Sequence, residues 1–309
     1  MGSQPGPGHA DVERLALVLR PAVTGRPRRR LPRWGSEPLL LAPLLLLLAL
    51  FFVLPLGLEV WSSLTQPRPG LSAYRAVFQQ ASFLRSIATT LQIAATVTAA
   101  AGVIGYLVAY ALTRLRGRLL TLMLALALVP FWISAVIRSF SWMLLLERSG
   151  PVNGVLLRLG LIGQPLQLLY NRTVVEVVMV SVLLPYMILP VYSVMRGIDL
   201  DLMKAAASLG ASPLQAFCRV FLPLSLPGVA SGGLLVFILA LGYFVTPSLL
   251  GGPKEQMVAV LIYQQTQLFN WPVAFALATV LLVVVVALYG LAVRLLGLGR
   301  ILFVQEPLP

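Results

Sequence analysis

Of 309 residues, 59% are hydrophobic and only 11% charged, against about 25% charged in a soluble domain, so water cannot be the solvent for this fold's outer surface. The net charge of +13 does not argue for nucleic acid, because Lys and Arg sit in short segments between apolar runs, where they orient membrane helices. One cysteine (Cys218) and one histidine (His9) exclude an internal disulfide, a Cys- or His-based metal cluster and a Ser-His catalytic pair within the chain.

Residues 1–36 are rich in Pro, Gly and Arg, with a dense patch at Arg26, Arg28, Arg29, Arg30 and Arg33. Such a composition predicts a disordered basic tail. The apolar run at 39–61 is longer than a signal-peptide core and has no small-residue cleavage site behind it, so it reads as an uncleaved first span. Runs long enough to cross a bilayer, about 20 residues, follow at 87–112, 119–137, 173–195, 227–249 and 272–296. The expected fold class is an all-α membrane protein with about six transmembrane helices. Residues 37–300 form the membrane domain and 301–309 a C-terminal tail. With the N-terminus inside, the inner segments hold roughly twice as many Lys and Arg as the outer ones, which predicts two cytoplasmic termini.

Between the third and fourth spans, residues 147–172 combine turn-formers with Leu156, Leu157 and Leu161 at helical spacing, predicting a short amphipathic helix at the membrane surface. Gly102, Gly105, Gly232 and Gly233 are placed to let helices cross closely. Ionisable groups at membrane depth are functional candidates. Arg138 and Glu176 qualify, and they read either as an interfacial ion pair or snorkelling side chains, or, for Glu176, as a receiver of cationic cargo. Tyr243, Phe244 and Thr246, flanked by Gly242 and Pro247, read either as ordinary interhelical packing or as a broken helix lining a cavity, with cation–π contacts to an ammonium group. Trp132 carries the same two readings, since tryptophan also favours membrane interfaces.

The inner loop at 196–226 is too long for a turn. Asp199 and Asp201 favour a helix start through capping and the helix dipole, and the run Ala205-Ala206-Ala207 favours the helix and leaves a low-relief surface. Gly210 permits the left-handed stop. Ser212-Pro213 then opens a second helix, with Ser as cap and Pro at its first position. By itself this is a helix-turn-helix linker. Its spacing, however, resembles the "EAA" loop of bacterial ABC importer permeases: Lys204-Ala205-Ala206, three residues, Gly210, nine residues, then Val220-Phe-Leu222-Pro223. Lys204 stands where the family usually has Glu, a charge reversal that leaves any salt bridge of that Glu without a counterpart. Pro130-Phe-Trp132-Ile-Ser134, Arg138-Ser139-Phe140-Ser-Trp142, Gly150-Pro-Val-Asn153 and Gly242-Tyr243-Phe244-Val-Thr246-Pro247 are similar to segments of spermidine/putrescine-type permeases. The resemblance covers about residues 40 to 295.

It implies a type I ABC importer permease fold in the bacterial inner membrane, a second permease subunit (identical or different), a cytoplasmic ATPase dimer and a periplasmic or extracellular substrate-binding protein. It also implies that Lys204, Ala205, Ala206, Gly210, Pro213, Leu222 and Pro223 form the loop that couples to the ATPase. The two lysines, Lys204 and Lys254, are not preceded by Gly, so no Walker A motif exists here. ATP and Mg are expected on the partner ATPase and no cofactor on this chain. Competing readings are an ion-coupled secondary transporter, which needs buried acids or His that the spans almost lack, a membrane enzyme, for which no nucleophile, metal set or paired carboxylates cluster, and a purely structural membrane protein.

Overall fold

The structure is a computed structural model and describes residues 37–66 and 69–295. The basic tail at 1–36 and the C-terminal tail at 301–309 lie outside the described residues. The chain divides into two compact units at Pro55 and Leu56. Up to Pro55, helix α1 (Glu37–Leu48) passes through a wide π turn (Ala49–Val53) into the start of α2 (Leu54–Thr65). Side chains from Leu41 to Pro55 are exposed and almost entirely apolar. The continuous helix Leu41–Thr65 is long and apolar enough to cross a membrane, four residues further at its end than the run at 39–61 predicts.

From Leu56 onward the described residues form helices only. After α2 come α3 (Ser72–Gln79), α4 (Ala81–Arg114), α5 (Gly117–Trp132), α6 (Ala135–Leu146), α7 (Pro151–Arg158) and α8 (Arg172–Arg196). Helices α9 (Asp201–Ser208) and α10 (Pro213–Ala216) form the loop, and a wide turn (Phe217–Phe221) leads into α11 (Leu222–Leu241). The chain closes with α12 (Val245–Leu250), α13 (Val258–Gln267) and α14 (Trp271–Leu295). Among the described residues five helices have the length and apolarity of a span, and the number rises to six, the predicted number, if the bent pair α5 and α6–α7 counts as one span. At 1.5 Å per residue, the 34-residue α4 is about 50 Å long, so it extends beyond the hydrocarbon.

The core is a three-helix contact of α4, α8 and α11, with Ile93, Val97, Met179, Leu183, Met187, Val191, Val236 and Ala240 buried in it. Helix α8 is the centre: more than half of its most apolar stretch is buried, against a third for α4 and for α11. Three glycines make that contact possible, and a Cβ on the first of them in α11, Gly228, would lie 3.0 Å from Val191 Cα. A Cβ on Gly105 would lie 2.6 Å from Met187 Cγ, and one on Gly232 would lie 3.0 Å from Met187 Sδ and 3.2 Å from its carbonyl. Gly102 and Gly233 meet nothing closer than 3.8 Å, so one glycine of each predicted pair sets the crossing. A smaller cluster of Ala73, Val77, Phe83, Leu261, Ala276 and Leu277 ties the short helices α3 and α13 to α14. Neither α3 nor α13 is long enough to show as a membrane run, and the sequence reading missed both.

Two spans are broken. The run 119–137 predicts one straight helix, but α5 stops at Trp132 and the chain turns by 96° into α6. Ile133 and Ser134 are extended at the break, and Pro130 has already removed one backbone donor there. The run 227–249 is likewise not one continuous helix: α11 ends at Leu241 and a separate turn, α12, begins at Val245, the break that one of the two readings of Gly242 to Pro247 has there. Between α6 and α8 the predicted surface helix is present as α7. Buried Asn153 holds it, donating to the carbonyls of Glu147 (3.2 Å) and Leu166 (3.0 Å) and accepting from Leu166 N (2.9 Å).

Candidate functional site

The candidate residues fall into two regions at opposite ends of the α4–α8–α11 bundle. The first is the helical elbow. Asp199 Oδ1 accepts from Asp201 N at 2.9 Å and starts α9. Gly210 has φ +88°, the left-handed region, with open space around it, so conformation rather than crowding requires glycine there. Ser212 Oγ then accepts from Gln215 N (3.3 Å) while Gln215 Oε1 accepts from Ser212 N (3.0 Å), a reciprocal capping box with Pro213 in the first turn. The Gly210 stop and the Ser212–Pro213 start are in place as local sequence chemistry predicts, whereas the N-cap of α9 is Leu200, without a side-chain cap bond.

The elbow exposes Leu209 (89%) and Leu214 (72%) on either side of Gly210. Ala205 is exposed and Ala206 half-buried, leaving a low, partly apolar ridge. Lys204 folds back on its own helix: Nζ donates to Asp201 Oδ1 at 2.7 Å, and both side chains are largely exposed. The bond from Lys204 and its positive charge hold the Asp201 carboxyl below its ordinary value. The reciprocal bond and charge hold the Lys204 ammonium above its own.

Leu222 and Pro223 begin α11 after the wide turn, and the Pro213–Leu241 stretch is one helical column. An aromatic block beneath the turn fixes this column to α4. Phe217 and Phe221 stack at 5.7 Å, Tyr110 meets both edge-on at 5.4 Å, and the Tyr106 hydroxyl pairs with Ser225 Oγ at 2.9 Å. Arg114 lies over the Tyr110 ring at 4.9 Å and donates to its hydroxyl. Sequence reasoning missed this block, although the pairs Tyr106/Tyr110 and Phe217/Phe221 both have the i, i+4 spacing of one helix face.

The second region surrounds the two breaks. A cavity of about 240 Å3 opens between α5, α6, α8 and the end of α11, lined by Phe131, Arg138, Tyr186 and Tyr243 among others. Arg138 sits in the first turn of α6 and reaches back across the break. Its Nη2 donates to the carbonyls of Pro130 (2.5 Å) and Ile133 (2.7 Å), which would otherwise be unpaired acceptors at the end of α5. Among the described residues its Nε and the Tyr243 hydroxyl are buried without a hydrogen-bond partner, and both residues line the cavity. Phe131 meets Tyr186 edge-on at 4.7 Å.

The other candidates lie outside this cavity lining. Thr246 is buried, its hydroxyl 3.1 Å from Ser139 Oγ, joining α12 to α6. Phe244 packs on Tyr263 at 4.7 Å. Trp132 is 89% exposed. Glu176 pairs with Arg172, not Arg138: its Oε1 accepts from Arg172 Nε (2.7 Å) and Thr96 Oγ1 (2.7 Å), while Arg172 Nη1 donates to Gln92 (2.9 Å). That network clamps the start of α8 to α4. Among the described residues no group of three or more His, Cys, Asp or Glu could hold a metal ion.

Comparison with known proteins places this architecture. Residues 101–298 match the family model of the binding-protein-dependent transport system inner membrane component. The chain is 36% identical over 212 residues to the spermidine/putrescine transport system permease protein PotB of Escherichia coli, covering 67% of this chain and 77% of that protein. Against PotB of Haemophilus influenzae it is 32% identical over 251 residues, 80% and 83% of the two chains. A solved bacterial alginate ABC transporter, in complex with an alginate pentasaccharide-bound periplasmic protein, has a chain of the same fold with a TM-score of 0.70 at 19% identity, covering 92% and 95% of the two chains.

Proposed function

This chain belongs to the binding-protein-dependent transport system inner membrane components, and from that membership we propose that it is the permease subunit of an ATP-driven importer for polyamines of the spermidine and putrescine class. One half of the translocation path is formed by this chain and the other by a second permease subunit, identical or different. An external substrate-binding protein delivers cargo. ATP and Mg are bound and hydrolysed by a separate cytoplasmic ATPase dimer, and this chain holds no cofactor of its own. Both termini lie in the cytoplasm of a bacterial cell whose inner membrane the chain crosses.

The observation that carries this reading is the elbow. A left-handed glycine and a reciprocal cap would serve a plain linker as well, but a plain linker has no need of exposed Leu209 and Leu214 at a corner whose spacing resembles the EAA loop. The caps stiffen the joint, so a displacement applied at the exposed leucines passes into α11 without being absorbed. Lys204, Ala205, Ala206, Gly210 and Pro213 form the ridge, and Leu222 and Pro223 carry the motion into the membrane. At the other end, the cavity by Arg138 and Tyr243 lies where two spans are broken, as sites within membranes do when irregular backbone lines a cavity. Tyr186, Tyr243 and Phe131 supply aromatic faces there, while Arg138 in the same lining, with no carboxylate beside it, opposes a cation, so the polyamine assignment rests on the relatives and not on this cavity. Trp132, Glu176, Phe244 and Thr246 act around it rather than within it. Sequence similarity to the PotB proteins supports the polyamine assignment, and an ion-coupled carrier is disfavoured because Glu176 is already engaged by Arg172.

Uptake of radiolabelled spermidine by proteoliposomes holding the chain with its partner subunits tests the proposal. Gly210→Trp is expected to leave membrane insertion intact while lowering uptake and substrate-stimulated ATP hydrolysis about tenfold or more, since the left-handed conformation costs a non-glycine residue about 1–2 kcal/mol. Wild-type uptake by that variant refutes the docking role. An assembled, ATP-hydrolysing transporter that moves another solute and no polyamine refutes the cargo assignment alone.

A further inference from the structure

At the elbow end of the bundle a second cavity, of about 310 Å3, opens between the α4–α5 turn and the end of α8. Arg114, Arg116 and Arg196 line it together with Tyr192, Met195 and Phe221, and no Asp or Glu does. Among the described residues, none of these three guanidiniums lies within 4.0 Å of a carboxylate; the ion pairs are Arg172–Glu176 and Lys204–Asp201. Asp199, adjacent to the lining residues Ile198 and Leu200, is turned onto the Asp201 amide. Arg114 is held over Tyr110, which leaves Arg116 and Arg196 as exposed, unpaired cations. Three like charges around one concavity repel one another unless an anion sits among them.

The position of the cavity narrows the anion. Here α4 ends at Arg114, α5 begins at Gly117 and α8 ends at Arg196, so three span ends meet at the level where hydrocarbon gives way to headgroups. The floor is apolar, with Leu112 and Met195 buried. From α5 the cavity takes Gly117 and Leu120. A guanidinium cluster above an apolar floor at this level matches a lipid phosphodiester more closely than a free anion. We propose that this cavity seats the phosphodiester headgroup of an anionic membrane lipid. Phe221 lines the cavity and belongs to the aromatic block under the elbow, so an occupant would brace the joint through which α11 is moved.

Native mass spectrometry of the full chain in detergent, titrated with phosphatidylglycerol or phosphatidylethanolamine of equal chain length, tests the proposal. Phosphatidylglycerol is expected to be retained over phosphatidylethanolamine by the wild-type chain. An Arg116→Gln/Arg196→Gln variant should lose about twentyfold of that retention, at about fivefold per basic residue, while Arg219→Gln, outside the cavity, keeps it. Retention should also fall with added salt, a readout that needs no variant. Salt-independent retention, or an unchanged double variant, overturns the proposal. Displacement of the lipid by inorganic phosphate at equal concentration overturns the lipid occupant and assigns a free phosphate instead.

Discussion

Arg138 shows how a single side chain can make a broken membrane helix affordable. Two carbonyls left unpaired in lipid would each cost several kcal/mol, and its Nη2 satisfies both Pro130 and Ile133. Arg138→Leu should therefore destabilise the purified chain by about 1–3 kcal/mol, read as a lower unfolding midpoint in a thermal scan, while Arg138→Lys recovers part of the loss. Lys204 is the opposite case. Its pair with Asp201 is exposed at both partners, so solvent and salt screen it. Lys204→Ala should leave hydrogen-exchange protection across residues 201–208 unchanged at neutral pH. The depressed Asp201 carboxyl contributes above its unfolded value, near 4, and that contribution is lost as pH falls through the lowered value. The raised Lys204 ammonium contributes below its unfolded value, near 10.4, and is lost as pH rises through the raised one. Elbow protection is expected to be flat from about pH 5 to 9; a step near neutrality would contradict this pairing.

At the scale of elements, the crossing of α4, α8 and α11 and the elbow's two caps make separable predictions. A Gly105→Leu side chain would have to displace the root of Met187 in the most buried helix, and overpacking of this kind costs typically about 1–3 kcal/mol. Gly102→Ala meets only the Met187 methyl at 3.8 Å and should be tolerated. Parallel thermal scans check the contrast, which disappears if both glycines merely reflect composition. Loss of the Ser212 cap in Ser212→Ala should cost about 1 kcal/mol, seen as faster hydrogen exchange confined to 212–216.

At the scale of the whole molecule, the proposed topology has a direct probe built into the chain. Cys218 is the single cysteine and is exposed at the foot of the elbow. A membrane-impermeant maleimide should label it in inside-out vesicles and fail to label it in right-side-out ones. The reverse pattern would put the elbow on the outer face and remove the basis for an ATPase partner.

Composition and run length by themselves determined the membrane class, the number of spans and the elbow. Each of these signals is local in sequence: an apolar run of about 20 residues, and, within about one helical turn each, Gly210 at a stop and Ser212 with Pro213 at a start. Tertiary structure alone decided that the 119–137 run breaks, that α8 is central, that Glu176 answers Arg172, and that three arginines share one cavity. The reason is the solvent. In lipid, both the outward and the inward face of a span are apolar, so the periodicity that marks a core-facing side in water is muted. Polar partners then meet across helices separated by 80 residues of sequence, as Thr96 and Glu176 do, and no local pattern announces them.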